Sequence, residues 1–428
     1  MRVPGLATAH LTYCLNVHPG SSLAEAETAV FEHAPRVFAT LSEQADAGPP
    51  FGVGMWLSAQ AARELDDPAR LGDFAERLAG AGLYAFTLNG FPYGRFHGAG
   101  VKESVYRPDW ATAQRRDYTL RLARILGALL PEGVEGSIST LPVTFGPWAT
   151  EEKLEAAVRN LAAVAAALHR QRLESGRQVV LALEPEPGCV LETTDDVAAF
   201  FARRLVPRGV VALGEEHGLG AADAERILRR HVGVCLDTTH TGVMAEDPTE
   251  GLRRLAADDI RVAKVQLGAA LRVDVGEDAE AVEALAPFRD EVYLHQVVVL
   301  RARCWMLDAG CSMGERRGRP GVGSSRLQAC RVFYADLPEA LDQQPLPRGQ
   351  WRVHYHVPLA WDGEGAMDTT REQVSPAFLR AALDCGVEHF ESEIYTLDVF
   401  PGATEAREAI LARDLAWLLG RFAAARGL

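Results

Sequence analysis

The chain has 428 residues, of which 48% are hydrophobic, and it carries a formal net charge of −14. This length allows a large core, and the acidity argues against nucleic acid and anionic membrane surfaces as partners. The seven cysteines are scattered without a C-x-x-C pair, which favours a reducing compartment over a disulfide framework. The N-terminus lacks an apolar signal core, and no apolar run could span a bilayer. We therefore expect a cytoplasmic protein without membrane insertion.

Short apolar runs alternate with longer helical patterns along the whole chain. The runs are nearly continuous in hydrophobicity, which is typical of parallel strands covered on both faces. Eight such alternations predict an α/β fold, a single (β/α)8 TIM barrel that occupies residues 1–428 as one domain. The eight predicted strands begin near Leu11, Phe51, Leu83, Val134, Gln178, His231, Ile260 and Glu388.

Capping signals mark the starts of several helices between these runs. Ser22 followed by Glu25 predicts a capping box, and Asp109 predicts the N-cap of a later helix. Thr150 predicts the start of a long helix with one apolar stripe, which closes near Gly176.

One segment breaks the alternation of strands and helices. Residues 269–350 fall between the seventh and eighth predicted strands and contain strand-like sequence such as YLHQVVVL from Tyr293. The run WRVHYHVPLAW from Trp351 follows this segment and also has strand character. We expect a β-rich insertion that lies over the catalytic face of the barrel.

The predicted strand ends are rich in side chains that bind metal ions. In a barrel of this kind the C-terminal ends of the strands form the active-site face. Carboxylate and amide oxygens with imidazole suit one divalent cation, and the sequence does not distinguish manganese, zinc, magnesium and iron. Such a cation can polarise a carbonyl and hydroxyl pair while a neighbouring carboxylate moves a proton. The residues are Glu184, Glu186, Asp237, His240, Gln266, His354, His356, Glu391 and Glu393.

Each of these residues also has a purely structural interpretation when it is taken alone. Glu184 could be a solvated carboxylate at a strand end, and Asp237 with His240 could be a helix cap and a surface histidine. Gln266 could be a buried amide that satisfies backbone groups. Acidic or amide ends on four consecutive predicted strands favour a shared metal site over these separate alternatives.

A second set of candidate residues lies on loops at the same rim. The stretch NGFPYGRFHG from Asn89 to Gly98, which Lys102 follows, interleaves aromatic residues with glycine. Such a loop can close over a ligand, or its aromatic residues can simply anchor it to the barrel. From this loop and from the end of the first strand, we expect substrate contacts by His18, Asn89, Tyr93 and Lys102.

Longer motifs give the chain a resemblance to a known family. The motifs T-Y-C-L-N-V-H-P-G, N-G-F-P-Y-G-x-F-H-G, L-E-P-E-P-G-C-x-L-E-T-T, D-T-T-H, K-V-Q-L and H-Y-H-V-P-L are similar to those of the metabolite-traffic protein EboE family. The resemblance covers nearly the whole chain, and it places the chain within the xylose-isomerase-like barrel superfamily of sugar isomerases and epimerases. The family resemblance implies a role in moving a secondary-metabolite precursor out of the cytoplasm, without a known reaction.

The superfamily resemblance implies a metal ion bound by Glu184, Asp237, Gln266 and Glu393. It also implies that the first and last glutamates shuttle the proton on either face of the substrate carbon. Sugar epimerases usually have a histidine where this chain has Gln266, and an amide oxygen is the weaker ligand.

Two histidines of the H-Y-H motif are candidates to compensate for that departure. We assign His356 to the metal site and His354 to the substrate. We also expect His240, which matches a substrate-contacting histidine of the superfamily, and Glu186 to contact the substrate.

Three functions fit these patterns. The first is a metal-dependent isomerase or epimerase acting on a small polyhydroxylated or carbonyl metabolite, with Glu184 and Glu393 as catalytic groups. The second is a non-catalytic metabolite carrier that uses the same pocket. The third is a metal-dependent hydrolase or endonuclease, which the extra histidines favour and the net charge opposes, because phosphate binding needs a basic face.

Overall fold

The computed structural model describes residues 1–98, 100–276, 280–301, 330–401 and 405–427. Within these residues the chain forms strands β1 (His10–Tyr13), β2 (Phe51–Trp56), β3 (Leu83–Asn89), β4 (Gly136–Thr140), β5 (Val179–Leu183), β6 (Val232–Asp237), β7 (Val262–Leu267), β8 (Ala269–Val275), β9 (Val297–Arg301), β10 (Cys330–Tyr334), β11 (Gly349–Val357), β12 (Met367–Thr369) and β13 (His389–Ser392).

The helices between the strands vary from one turn to seven. They are α1 (Leu23–Thr28), α2 (Ala34–Gln44), α3 (Ala59–Leu65), α4 (Pro68–Gly80), α5 (Ala113–Leu129), α6 (Glu151–Ser175), α7 (Thr194–Phe200), α8 (Val206–His217), α9 (Ala221–His231), α10 (Thr238–Val243), α11 (Pro248–Ala257), α12 (Glu280–Leu285), α13 (Leu337–Leu341), α14 (Pro376–Asp384) and α15 (Arg407–Arg426). No helix of the described residues is long and apolar enough to cross a membrane.

Eight parallel strands form a nearly closed barrel in the order β1-β13-β7-β6-β5-β4-β3-β2. A parallel bridge between Cys14 and Gly54 joins the two ends of this order, next to β1 and β2. Strands β5 and β6 are buried along their whole length and rich in valine and leucine, because helices cover the outside and side chains fill the interior. The predicted (β/α)8 fold is confirmed.

A second, antiparallel sheet lies between β7 and β13 in the sequence. Its strand order is β10-β9-β11-β8-β12. Its first strand in the sequence, β8, is separated from β7 by Gly268 alone. The predicted β-rich insertion is therefore present, although β11 and β12 carry the sheet beyond position 350. Residues 277–279 and 302–329 of that segment lie outside the described residues.

Two of the three capping predictions describe the helix starts that the structure has. Ser22 forms a capping box with Glu25 at the start of α1, and Thr150 caps α6, whose end carries Gly176 at φ 71°. The prediction for Asp109 is wrong, because α5 begins later and its N-cap is Thr112. The Asp109 side chain instead accepts hydrogen bonds from the backbone of Ala111 and the hydroxyl of Thr144.

Candidate metal centre

Carboxyl groups from three strand ends meet at one end of the barrel. Glu184 follows β5, Asp237 is the last residue of β6, and Glu393 follows β13. All three side chains are buried, each with at most 3% of its surface exposed. The ends of parallel strands meet on one face of a barrel, so residues far apart in sequence come together here.

Asp237 is the residue that the two carboxylate-containing ligand sets share. Ligand atoms of Glu184, Asp237 and His240 lie within 4.8 Å of one another, and so do those of Asp237, His356 and Glu393. Glu184 and Glu393 thus each lie in a set with Asp237, but not in one with each other. The structure brings the predicted carboxylates together around Asp237 as the common member.

The position of Asp237 follows from its role at the start of α10. Its Oδ1 accepts hydrogen bonds from the backbone N–H of Thr239 at 2.6 Å and of His240 at 3.3 Å, which is an N-cap. The same turn carries His240 over the carboxyl group. Oδ2 of Asp237 is buried and has no hydrogen-bond partner.

Two asparagine side chains hold Glu393. Nδ2 of Asn16 donates to its Oε1 at 2.7 Å, and Nδ2 of Asn89 donates to the same oxygen at 3.0 Å. Asn89 ends β3, and its own Oδ1 accepts from the backbone of Phe91. The amides therefore fix the orientation of the Glu393 carboxyl group, and Asn89, for which a substrate contact was predicted, also lines the pocket beside it.

The second sheet places two histidines over the barrel mouth. His354 and His356 lie on β11, share one face of that strand, and are fully buried. Their Nε2 atoms are 3.2 Å apart. The ligand atoms of His240, His354 and His356 also lie within 4.8 Å of one another, so the imidazoles form a third set.

Burial and mutual repulsion alter the protonation of this cluster. Burial, then the charge of Asp237, raises the pKa of Glu184 well above its usual value. Burial and then the charges of Glu184 and Asp237 raise the pKa of Glu393 in the same way. Burial also acts on Asp237, but His240, His356 and hydrogen bonds outweigh it and lower its pKa. Burial raises the pKa of Glu186 to about 7.

Beneath the cluster, Gln266 and Glu391 face each other in register on β7 and β13. The amide oxygen of Gln266 accepts from the thiol of Cys235 at 2.7 Å. This contact engages the oxygen that was expected to bind the metal, while its Nε2 has no partner. Glu391 pairs with Lys264, two residues before Gln266 on the same face.

A pocket opens beside the cluster, and side chains of the cluster form part of its wall. Glu184, Glu186, His240 and Glu393 contribute polar groups, and Phe91, Phe96 and Leu294 contribute apolar surface. The pocket is therefore suited to a small molecule that carries both polar and apolar parts.

Glu186 belongs to a hydrogen-bonded chain that leads to the histidines. Its Oε1 accepts from the hydroxyl of Tyr106 at 2.8 Å, and Tyr106 accepts from Nε2 of Gln296 at 2.9 Å. The Oε1 of Gln296 lies 2.6 Å from Nδ1 of His354. Gln296 was not among the predicted site residues, although the H-Q pair before β9 was a polar signal at the edge of an apolar run.

Three residues predicted to contact substrate lie in other contacts. His18 stacks on His33 with ring centroids 4.4 Å apart and does not line the pocket. Tyr93 packs against the ring of Tyr118, also away from the pocket lining. Lys102 does line the pocket, but its ammonium group pairs with Asp336 at 2.6 Å.

Comparisons with known proteins report likeness in fold. No protein-family model and no curated protein match the chain, so membership of the EboE family is not confirmed. The structure of the IolI protein with a binding zinc atom aligns over 96% of this chain and 99% of its own, at 12% identity and a TM-score of 0.45. A xylose isomerase domain protein from Alicyclobacillus acidocaldarius aligns over 97% and 99%, at 14% identity and a TM-score of 0.43. A D-tagatose 3-epimerase-like protein aligns over 98% of both chains, at 10% identity and a TM-score of 0.43.

Proposed function

We propose that the protein is a metal-dependent isomerase or epimerase that acts on a small polyhydroxylated or carbonyl metabolite. The observation that carries the proposal is the meeting of Glu184, Asp237 and Glu393 at the mouth of the barrel beside a pocket. Asp237 would hold a divalent cation together with the two glutamates. The trafficking role implied by the EboE resemblance stays a prediction.

The donor set fits such a cation. Oε2 of Glu184 and Oδ2 of Asp237 are buried and have no hydrogen-bond partner, and an unsatisfied buried carboxylate oxygen is costly. Neither carboxylate has a lysine or arginine within 4.0 Å among the described residues, and the buried Lys264 pairs with Glu391 instead. Hard carboxylate oxygens are ligands that manganese, magnesium, zinc and iron accept.

In this proposal the cation would polarise the substrate, and carboxylates of the chain would transfer the proton. A cation bound there would polarise the carbonyl oxygen of a substrate and make the neighbouring C–H more acidic. Glu184 and Glu393 come from strands on opposite sides of the Asp237 strand in the barrel order, and both line the pocket. One carboxylate can take the proton from the substrate carbon, and the other can return a proton from a different direction.

The polar groups that line the pocket are oriented before a substrate binds. Asn16 and Asn89 keep one oxygen of Glu393 occupied, so the direction of its carboxyl group is fixed before the substrate arrives. His240 lines the pocket, and its Nδ1 lies 2.7 Å from the carbonyl oxygen of Pro185. Its other nitrogen is then available at the cluster.

Proton transfer at carbon gives a direct test that can be run while the substrate is still unidentified. The metal-loaded protein is incubated in heavy water with a panel of ketoses and carbonyl-bearing polyols, and mass spectrometry records deuterium that becomes bound to carbon. The proposal predicts incorporation for at least one compound, and its loss in Glu393→Gln.

The matched control for this test is Glu174→Gln, an exposed glutamate on α6. This variant is expected to exchange at the wild-type rate. Binding of a panel compound without any exchange would contradict the enzyme and favour the metabolite carrier instead.

A further inference from the structure

The three buried imidazoles at the barrel mouth have a hydrogen-bond pattern that the proposed carboxylate site does not explain. His240 lies on α10, and His354 and His356 lie on β11 of the second sheet. Each is at most 4% exposed, and their ligand nitrogens lie within 4.8 Å of one another. Two separate elements therefore bring imidazoles to one point.

In each of the three rings, Nδ1 faces a carbonyl oxygen. The partners are Pro185 O at 2.7 Å for His240, Oε1 of Gln296 at 2.6 Å for His354, and Glu393 O at 3.1 Å for His356. A carbonyl oxygen only accepts hydrogen bonds, so each Nδ1 carries the hydrogen. A neutral imidazole then has an unprotonated Nε2, and those of His354 and His356 face each other.

The orientation of the Gln296 amide, which decides the state of His354, is held from the other side. Nε2 of Gln296 donates to the hydroxyl of Tyr106 at 2.9 Å and to the carbonyl of Pro187 at 3.1 Å. Because the NH2 group already has an acceptor in Pro187, the oxygen is the atom that faces His354. An outer partner of this kind commonly fixes a metal-binding histidine in one tautomer.

The separation of two of these nitrogens is close to that of two ligands of one metal ion. Nε2 of His354 and Nε2 of His356 are 3.2 Å apart, with both lone pairs facing inward. Zinc–nitrogen bonds of about 2.0–2.1 Å place neighbouring ligands of a tetrahedral ion about 3.3–3.4 Å apart.

We propose that His240, His354 and His356 bind a second divalent cation through their Nε2 atoms, next to the ion on the carboxylates. Three imidazoles suit zinc, cobalt or nickel better than magnesium or calcium. Asp237 lies in a set with His240 and in a set with His356, so its carboxyl group would stand between the two ions.

The proposal gives the second sheet a function at the barrel mouth. Strand β11 supplies two of the three imidazoles, and Gln296, just before β9, holds one of them in place. The inserted sheet thus completes a second metal site on the barrel.

The test is the metal content of the full-length chain. The protein is stripped with a chelator, loaded with zinc, freed of excess metal by gel filtration, and measured by elemental analysis. We expect about two zinc ions per chain for the wild type and about one for His354→Ala, and the matched control His217→Ala, an exposed histidine at the end of α8, keeps about two. Loading with cobalt adds a second readout, because its visible spectrum reports nitrogen ligation and should lose its tetrahedral bands in His354→Ala.

The outcomes separate this proposal from the proposed function. One zinc ion in the wild type that His354→Ala keeps and Asp237→Asn loses would overturn the second site and leave the carboxylate site standing. A stoichiometric ion that His354→Ala loses and Glu184→Gln keeps would support the imidazole site and count against the carboxylate site. Two zinc ions in the wild type would support the proposal even where a variant fails to fold.

Discussion

Nζ of Lys264 lies 2.5 Å from Oε2 of Glu391, and both side chains are completely buried inside the barrel. The pair lies below the cluster of carboxyl groups and histidines, where the register places Glu391 beside Gln266. A buried ion pair contributes little when both partners can be replaced together, but removal of one partner leaves a buried charge. This relationship gives a prediction about stability.

Lys264→Met should lower the free energy of unfolding by about 3–5 kcal/mol, because Glu391 then lacks its cation in the barrel interior. Chemical denaturation of the metal-free protein measures the change. The double variant Lys264→Met with Glu391→Leu should recover most of it. The control Arg226→Met removes an exposed pair with Asp223, and it should change stability by less than about 1 kcal/mol. A loss of stability in Lys264→Met that is no larger than the loss in Arg226→Met would contradict the assignment of a buried Lys264–Glu391 ion pair.

A second stability prediction concerns the glycine on β2 that faces the same pair. A Cβ atom at Gly54 would overlap with Oε1 of Glu391. Gly54→Ala should therefore cost about 1–3 kcal/mol, since the buried carboxyl group must move. Gly72→Ala, in the interior of α4 with no atom within 4 Å of the new Cβ, should instead stabilise by about 0.4–1 kcal/mol. Thermal or urea unfolding of both variants gives the comparison.

The asparagines that hold Glu393 should affect metal affinity. Asn16→Ala and Asn89→Ala each remove a donor to Oε1 of Glu393, which leaves that carboxyl group less well oriented. We expect the affinity of the carboxylate site for manganese to fall about 10- to 100-fold, measured by titration calorimetry. Asn160→Ala, whose amide donates to the backbone of Trp110, is the control and should leave the affinity unchanged. Unchanged affinity in both cluster variants would argue against Glu393 as a ligand.

The raised pKa of Glu186 predicts a pH-dependent contribution to the stability of the metal-free protein. Burial raises this pKa from 4.5 to about 7, so the folded state binds a proton that the unfolded state releases in this interval. Folding stability from this group therefore falls as the pH rises from about 4.5 through about 7. Nearby histidines titrate with the opposite sign, so the useful quantity is the difference between wild type and Glu186→Gln.

Relative to that of the wild type, the free energy of unfolding of Glu186→Gln should increase as the pH rises through this interval. Urea denaturation at a series of pH values, in the presence of a chelator, measures it. A difference that is independent of pH would show that Glu186 titrates normally.

The barrel was predictable because its strands are covered on both faces, and this leaves uninterrupted apolar runs such as VVLAL in β5. The strand ends then located Glu184, Asp237 and Glu393, since a barrel places all such ends on one face. The buried Lys264 was not foreseen, because a strand lysine is usually solvated, although its spacing from Gln266 already placed the two on one face.

Loop residues were harder to place than strand ends. The direction of His18 and Tyr93 depends on the rings of His33 and Tyr118, which pack beside them only after the chain has folded. The local sequence pattern around His18 and Tyr93 does not predict such contacts. The same applies to Gln296, whose role depends on β9 and β11 pairing next to the barrel mouth.

The most direct test of the account is a crystal structure of the manganese-soaked protein with anomalous diffraction data. The account predicts an anomalous peak within about 2.0–2.3 Å of carboxylate oxygens of Asp237 and at least one of Glu184 and Glu393. A well-ordered barrel mouth without a peak there, at saturating manganese, would contradict the central claim that these carboxylates bind a common cation.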